Sequence, residues 1–227
     1  MRKRAELAVM LLLLAGLLLA GRYLSRQVAS DKVEVKKNLV VVDCGHGGAD
    51  PGKVGAGDVL EKDLNLQIGK RVEKKLKKKG YEVVMTRTED KDLAEGGDNW
   101  KVRDMKNRVA LVNGSRPGLA VSIHQNSYSD AAVHGSQVFY YTHSTEGKEA
   151  AAIMQEALLL ADPDNMRQEK ANDTYYFLKR TEVPTIIVEC GFLSNPEEAA
   201  RLSEKDYQEK IADAIVSGVE KYLESQR

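Results

Sequence analysis

The sequence contains few cysteines and carries no net charge, and each of these two features excludes a class of protein. Only two cysteines, Cys44 and Cys190, stand in 227 residues. The chain therefore lacks the disulfide framework of small secreted domains, and its stability must come from a hydrophobic core. Its 34 basic and 34 acidic residues cancel, so no general affinity for nucleic acid is expected. The sequence also lacks internal repeats and low-complexity tracts, and its length fits one domain.

The amino terminus lacks an apolar run long enough for a comfortable membrane span, which needs about twenty residues. An almost unbroken apolar run covers the fourteen residues from Leu7 to Ala20, after the basic segment Arg2–Arg4. A basic start followed by such a run is typical of a signal peptide, and a cytosolic amphipathic helix would need a polar face that this run lacks. No clear cleavage site follows it. We therefore expect residues 1–21 to form a signal peptide or an N-terminal membrane anchor, and the protein to be exported.

Beyond this segment, the chain divides into a linker and one domain. Residues 22–38 are charged and lack apolar periodicity, as is typical of linkers. In residues 39–225, β-branched runs such as Leu39–Cys44 alternate with apolar stripes at helical spacing, such as the stripe from Leu60 to Leu76. This alternation predicts an α/β fold, with a mostly parallel (mixed) twisted sheet of about five or six strands and helices on both faces.

Polar residues that can bind a metal ion stand where three of the predicted strands end. His46 follows the first strand in a glycine-rich loop, His124 follows the third, and Glu189 follows the fifth, while Glu61 opens the first helix. Because the carboxyl ends of parallel strands lie at one edge of a sheet, these side chains can meet. Two imidazoles and one carboxylate are typical ligands of a catalytic zinc site, and a second carboxylate can move the proton of the attacking water to a leaving amine. The set is sufficient for metal-assisted amide hydrolysis.

These residues also have simpler interpretations. His46 fits a solvated loop histidine, and Glu61 fits a residue that only offsets the dipole of its helix. Glu189 is harder to explain in this way, because a carboxylate next to the apolar run Ile186–Val188 is costly to bury without a partner.

Four other polar residues near the predicted strands have different expected roles. Asp43 can support a ligand imidazole, and Asn126 can bind substrate or support its neighbour His124. His134 and His143 flank the fourth predicted strand without a glycine-rich turn, and we interpret them as surface histidines.

Five segments resemble, in order, the pattern of the N-acetylmuramoyl-L-alanine amidase family 3. These segments are Val42–Gly48, Leu60–Asp63, Met85–Arg87, Ser122–Asn126 and Val188–Asn195. The resemblance covers about residues 39–225 and implies a zinc-dependent amidase domain. It implies that His46, Glu61 and His124 bind Zn²⁺ and that Glu189 is catalytic. The enzyme would cut the amide between muramic acid and the first L-alanine of the stem peptide in peptidoglycan.

Within this family, the chain resembles the short spore-cortex amidases of spore-forming bacteria, which have a hydrophobic segment, a linker and one catalytic domain. This likeness implies a role in muramic-δ-lactam formation and germination. It places the protein at the cell wall or the outer face of the membrane, in the space between forespore and mother cell. The expected partners are peptidoglycan glycan strands with stem peptides, the membrane if the N-terminal segment is uncleaved, and an activating protein of unknown identity.

Three other functions remain open from the sequence. A vegetative cell-wall amidase of the same family would share this architecture. A thiol peptidase would pair Cys44 or Cys190 with His124, although Cys190 is not at an evident helix start that would stabilise a thiolate. A non-catalytic, wall-binding scaffold on the same fold would be expected to have lost at least one of the four polar site residues, and all four are present.

Overall fold

The computed structural model describes residues 34–94 and 96–227, together with five residues near the amino terminus. These five residues are Met10, Leu13, Leu14, Gly16 and Leu17. Apart from these five residues, the predicted signal peptide or anchor at residues 1–21 lies outside the described residues, as does most of the predicted linker at residues 22–38. Among the helices that can be described, none is both long and apolar enough to cross a membrane.

From residue 34 onward, the described chain contains six strands and six α-helices. The strands are β1 (Lys36–Cys44), β2 (Glu82–Met85), β3 (Pro117–Asn126), β4 (Gln137–Tyr141), β5 (Lys170–Asn172) and β6 (Thr185–Phe192). The helices are α1 (Glu61–Lys78), α2 (Trp100–Ser115), α3 (Thr145–Leu158), α4 (Tyr176–Arg180), α5 (Pro196–Ser203) and α6 (Lys205–Ser225). A short 3-10 helix, Ala56–Asp58, precedes α1.

The strands form one sheet in the order β2-β1-β3-β6-β4-β5. All neighbouring pairs are parallel except β4 and β6, which are antiparallel. The predicted α/β class and the mixed, mostly parallel sheet are therefore confirmed. β5 and α4 are additions to the predicted elements.

Side chains alternate along β1 between two differently covered faces of the sheet. Val40 and Val42 are fully buried in the core that includes apolar residues of α1 and α6. Asp43 points to the opposite face, where Arg108 of α2 donates to its carboxylate. Helices therefore cover both faces, as predicted, and the second face is polar at the carboxyl end of β1.

The helix α1 packs on the sheet through the predicted apolar stripe. Leu64, Ile68, Val72 and Leu76 recur every four residues and are almost fully buried. Burying side chains of this size stabilises the fold by about 1.5–3 kcal/mol each. The helix begins at Glu61, as predicted.

Several boundaries differ from the predicted ones. β1 starts at Lys36 rather than Leu39, inside the segment predicted as linker. β3 runs to Asn126 and β6 to Phe192, so that His124 and Glu189 lie within the last residues of their strands rather than after them. The strands extend because the loops beyond them also pair, for example through the Leu193 N–H, which donates to the Asn126 carbonyl.

Gly69 of α1 lies where the helix approaches β1 most closely, and we expect Gly69→Ala to destabilise the protein. A Cβ at this position would lie 2.3 Å from the Cys44 sulfur and 3.6 Å from a Val42 methyl carbon. The helix must shift outward, at a cost of about 1–3 kcal/mol, measurable as the free energy of unfolding in urea.

Gly114→Ala in α2 is the matched control, because a Cβ at Gly114 would meet nothing within 4 Å. Removing this helical glycine should leave the free energy of unfolding unchanged or raise it by up to about 1 kcal/mol. Equal losses in the two variants would contradict the predicted packing of α1 on β1.

Candidate active site

The turn after β1 is held in place by two buried arginines. His46 has a left-handed backbone with φ 61°, which is uncommon for a residue other than glycine. Arg108 donates to the carbonyls of Cys44 (2.8 Å) and His46, and Arg87 donates to those of Cys44 (2.9 Å) and Gly45 (3.0 Å). These bonds stabilise the turn in a conformation that its own backbone disfavours, and they set the direction of the His46 imidazole.

Asp43 anchors this arrangement through Arg108. Its carboxylate accepts from Arg108 Nη1 (2.7 Å), Thr86 Oγ1 (2.8 Å) and Ser122 Oγ (2.6 Å). Burial opposes ionisation, but the charge of Arg108 and these hydrogen bonds outweigh it and hold the pKa of Asp43 below its usual value. These hydrogen bonds go to groups other than the two imidazoles, although the charge of Asp43 also helps to raise the pKa of His124; its predicted support of a ligand imidazole stays a prediction. Asp43 is connected to His46 through Arg108, which donates to the His46 carbonyl.

Glu61 connects the two predicted histidine ligands. Its Oε1 lies 2.9 Å from His124 Nδ1, and its Oε2 lies 3.2 Å from His46 Nε2. One ligand atom from each of the three residues can be chosen so that all lie within 4.8 Å of one another. Gly45 permits this approach, because a Cβ there would lie 2.3 Å from the His124 ring. We call these three residues the His–Glu–His cluster.

The Glu61 carboxylate is only 2% exposed, and its contacts favour the ionised form. It accepts from the N–H groups of Lys53 (2.8 Å) and Gln125 (3.1 Å). Burial opposes its charge, but its contacts with His124 and His46 outweigh this, and the pKa of Glu61 falls well below its usual value. Burial likewise opposes the charged form of His124, but Glu61 outweighs it and raises the pKa of His124 to about 9.

Asp50 is a site residue that the sequence analysis did not identify. Its Oδ2 lies 2.8 Å from His46 Nδ1, and its Oδ1 accepts from Lys101 Nζ (2.9 Å). A carboxylate on one imidazole nitrogen orients the ring and leaves the other nitrogen for an ion. Its position in the glycine-rich loop, four residues after His46, was the available signal.

Glu189 lies beside the His–Glu–His cluster without belonging to it. It pairs with His124 in the register of β3 and β6 and is 7% exposed. Its Oε2 has no hydrogen-bond partner in the described part of the protein. Burial raises the pKa of Glu189 to about 7, against the opposing charge of His124. A buried carboxyl group with a free oxygen and a pKa near neutrality is suited to accept and return a proton.

All six predicted site residues line one cavity of about 630 Å³. They are Asp43, His46, Glu61, His124, Asn126 and Glu189. The Asn126 Oδ1 accepts from the Ser127 N–H (2.8 Å). Residues of α2 and of the segment Tyr175–Phe177 at the start of α4 also line the cavity, and the sequence analysis contained no signal for the latter segment.

The cysteines and the other two histidines take no part in this cavity. Cys44 and Cys190 are free and buried. Burial raises the pKa of Cys44 to about 12 and also raises that of Cys190, so neither thiol forms the thiolate that a cysteine peptidase needs. His134 and His143 are exposed, as predicted.

The residues present fit a catalytic zinc ion. Two imidazoles and one carboxylate form a common ligand set for this ion in hydrolases, and three protein ligands leave a position for water. Glu189 is not among the clustered His, Cys, Asp and Glu residues found in the described chain. The cluster is also supported on its outer side by Asp50, as ligand histidines usually are.

Comparison with known proteins identifies relatives with this fold. A model of the family described as N-acetylmuramoyl-L-alanine amidase matches residues 40–221. The germination-specific N-acetylmuramoyl-L-alanine amidase of Bacillus subtilis is 37% identical over 189 residues, which are 82% of this chain and 79% of that protein.

Solved structures agree with this match. The CwlD amidase from Clostridioides difficile, in complex with the GerS lipoprotein, is 36% identical with a TM-score of 0.80, over 82% of this chain and 98% of that one. The amidase AmiC2 of Nostoc punctiforme is 34% identical with a TM-score of 0.73, over 86% of this chain and 100% of that one. The chain belongs to the N-acetylmuramoyl-L-alanine amidase family and is an enzyme of this class acting on peptidoglycan.

Proposed function

We propose that this amidase is zinc-dependent and that His46, Glu61 and His124 hold the ion. The observation that carries this proposal is the His–Glu–His cluster with the unpaired oxygen of a buried carboxyl group, Glu189, beside it. A zinc ion bound there would polarise the scissile carbonyl and make the attacking water more acidic.

The protein side chains then have separate tasks in the reaction. Glu189 accepts a proton from the water that attacks the carbonyl carbon of the muramoyl group. It returns this proton to the nitrogen of L-alanine as the carbon–nitrogen bond breaks, which leaves a carboxylic acid on muramic acid and a free amino group on the peptide. The acid then loses its proton to solvent. Asp50 keeps the His46 ring oriented.

Changing a proposed ligand should remove both metal and activity. We expect His46→Ala and His124→Ala to lose most bound zinc, measured by elemental analysis of the purified protein, and to release no stem peptide from peptidoglycan. His134→Ala and His143→Ala are matched controls on exposed histidines and should keep both properties. Stoichiometric zinc in both ligand variants would show that the ion binds elsewhere.

Changing Glu189 should separate metal binding from turnover. Glu189→Gln preserves the shape of the side chain but removes its basicity, so zinc and peptidoglycan should bind normally while the rate falls by about 10²–10⁴. Turnover and zinc content are measured on the same preparation. Zinc loss as large as in His46→Ala would make Glu189 a ligand, and near-normal turnover would place the proton acceptor elsewhere.

The domain organisation is part of this proposal. Residues 1–21 would direct export, either as a cleaved signal peptide or as a retained anchor, and residues 39–225 would form the catalytic domain, joined by the linker at residues 22–38. The peptidoglycan substrate, which lies outside the cytoplasm, supports this arrangement. The start of β1 at Lys36 moves the beginning of the folded domain slightly into the proposed linker.

The physiological role that we propose is in the spore cortex. It is supported by the similarity to the germination-specific amidase of Bacillus subtilis and to the CwlD amidase of Clostridioides difficile. The second of these was solved with a lipoprotein, which supports a protein partner for this chain as well. The site of action would then be the space between the forespore and mother-cell membranes.

Deletion of the encoding gene should produce spores whose cortex lacks muramic-δ-lactam and which fail to complete germination, measured by muropeptide analysis and outgrowth. Complementation with the unchanged gene should restore both, and complementation with Glu189→Gln should restore neither. Rescue by Glu189→Gln would instead indicate a scaffold. A normal cortex with a defect in growing cells would indicate a vegetative amidase.

A further inference from the structure

Two half-exposed tyrosines line the cavity near Glu189. Tyr175 is 37% exposed and Tyr176 is 40% exposed. Tyr175 makes an edge contact with Phe139, with ring centroids 5.6 Å apart, and the Arg180 guanidinium lies 5.7 Å from the centre of the Tyr176 ring. Positioned aromatic rings offer apolar surface at low entropic cost, together with a hydroxyl group for hydrogen bonding. Sugar rings, which have apolar C–H faces and polar edges, fit such a surface.

A lysine lines the same cavity near Glu61. The Lys53 side chain is exposed, and it forms no ion pair with any carboxylate in the described part of the chain. Lys101, by contrast, is already paired with Asp50. Lys53 therefore offers a cation that an anionic ligand can use without breaking an existing pair.

The order of the strands places these two features on opposite sides of the proposed reacting groups, since β3 and β6 lie between β1 and β4. The Lys53 N–H donates to Glu61, and Glu61 contacts His124. His124 is the register partner of Glu189 on β6.

β6 then pairs with β4, whose Phe139 contacts Tyr175. The tyrosines therefore approach the site from the β4 side, and Lys53 approaches it from the loop after β1.

The substrate has a matching division of chemistry about the scissile amide. On one side are the neutral sugar rings of the glycan strand, and on the other is a stem peptide with free carboxylates. We propose that Tyr175 and Tyr176 bind the sugar rings and that Lys53 binds a carboxylate of the stem peptide. This assignment rests on the proposed function and adds to it the direction in which the substrate lies in the cavity.

Two series of soluble substrates test this direction. In one, the glycan grows from one sugar to four with a constant peptide, and in the other, the peptide carboxylates are free or amidated on a constant glycan. Dissociation constants are measured by calorimetry with the zinc-loaded full chain carrying Glu189→Gln, so that binding is read independently of turnover. Cleavage of the same substrates is measured with the chain that retains Glu189.

We expect Tyr175→Ala with Tyr176→Ala to remove the gain in affinity from added sugars, about tenfold for the longest glycan. The preference for free over amidated carboxylates should be unchanged. Lys53→Gln should do the reverse, removing a carboxylate preference of about three- to fivefold that weakens with salt, and leaving the effect of glycan length intact. Tyr128→Ala and Lys106→Ala, exposed residues outside the cavity lining, are the matched controls and should change neither preference.

The proposed direction would be overturned if the tyrosine variant lost the carboxylate preference and Lys53→Gln lost the gain from added sugars. The proposal would also be overturned if glycan length and carboxylate charge had no effect before substitution, even with normal cleavage. Failure of the proposed function is a separate result, in which substrates bind with these preferences but the muramoyl–alanine amide is not cut.

Discussion

The geometry of the site depends on the burial of two guanidinium groups beneath the turn after β1. Arg87 and Arg108, each 2% exposed, donate to three successive carbonyls, those of Cys44, Gly45 and His46. Buried carbonyl groups need hydrogen-bond donors as partners. Where β1 ends, these two side chains supply the donors that a neighbouring strand supplies within the sheet. A different backbone path here would turn the His46 imidazole away from the His–Glu–His cluster.

Burying these cations is tolerable only because each is surrounded by acceptors. Arg108 pairs with Asp43 and Asp104, both at 2.7 Å, and removing one member of such a buried pair typically costs about 3–5 kcal/mol. Arg87 has carbonyl partners, including that of Lys62 at the start of α1. The network therefore joins β1, α1, α2 and the residues after β2 at the edge of the sheet that carries the proposed catalytic residues, and this edge gains rigidity from the same contacts that stabilise the fold.

Two buried carboxyl groups of the site have pKa values shifted in opposite directions, that of Glu61 downward and that of Glu189 upward. Glu61 receives backbone N–H groups and contacts both histidines, which favours its ionised form. Glu189 is similarly buried but has an oxygen without a partner, and its pKa is raised to about 7. A ligand must stay ionised, whereas a group that moves a proton must take both forms near neutral pH. The hydrogen bonds that each carboxyl group receives therefore suit Glu61 to the proposed ligand role and Glu189 to the proposed proton transfer.

The sequence by itself determined the fold class and the location of the cluster. Apolar periodicity predicts parallel strands and covering helices, and parallel strands bring their carboxyl ends to one edge, so His46, His124 and Glu189 were expected at the same edge, where they can meet. Glu61 joined them because α1 begins at that residue. These relations depend on local patterns and on chain direction, both of which can be read from the residues in order.

Only the tertiary structure decided which polar groups pair. Asp43 bonds to Arg108, sixty-five residues away, while Asp50 takes the place beside the imidazole, and no local pattern distinguishes the two carboxylates. The same holds for Tyr175, in a segment with no periodic signal, which reaches the cavity because β4 places Phe139 beneath it. Such pairings depend on the distances between elements after packing. The energy of a buried contact is set by the partners that packing supplies and by the water that it removes.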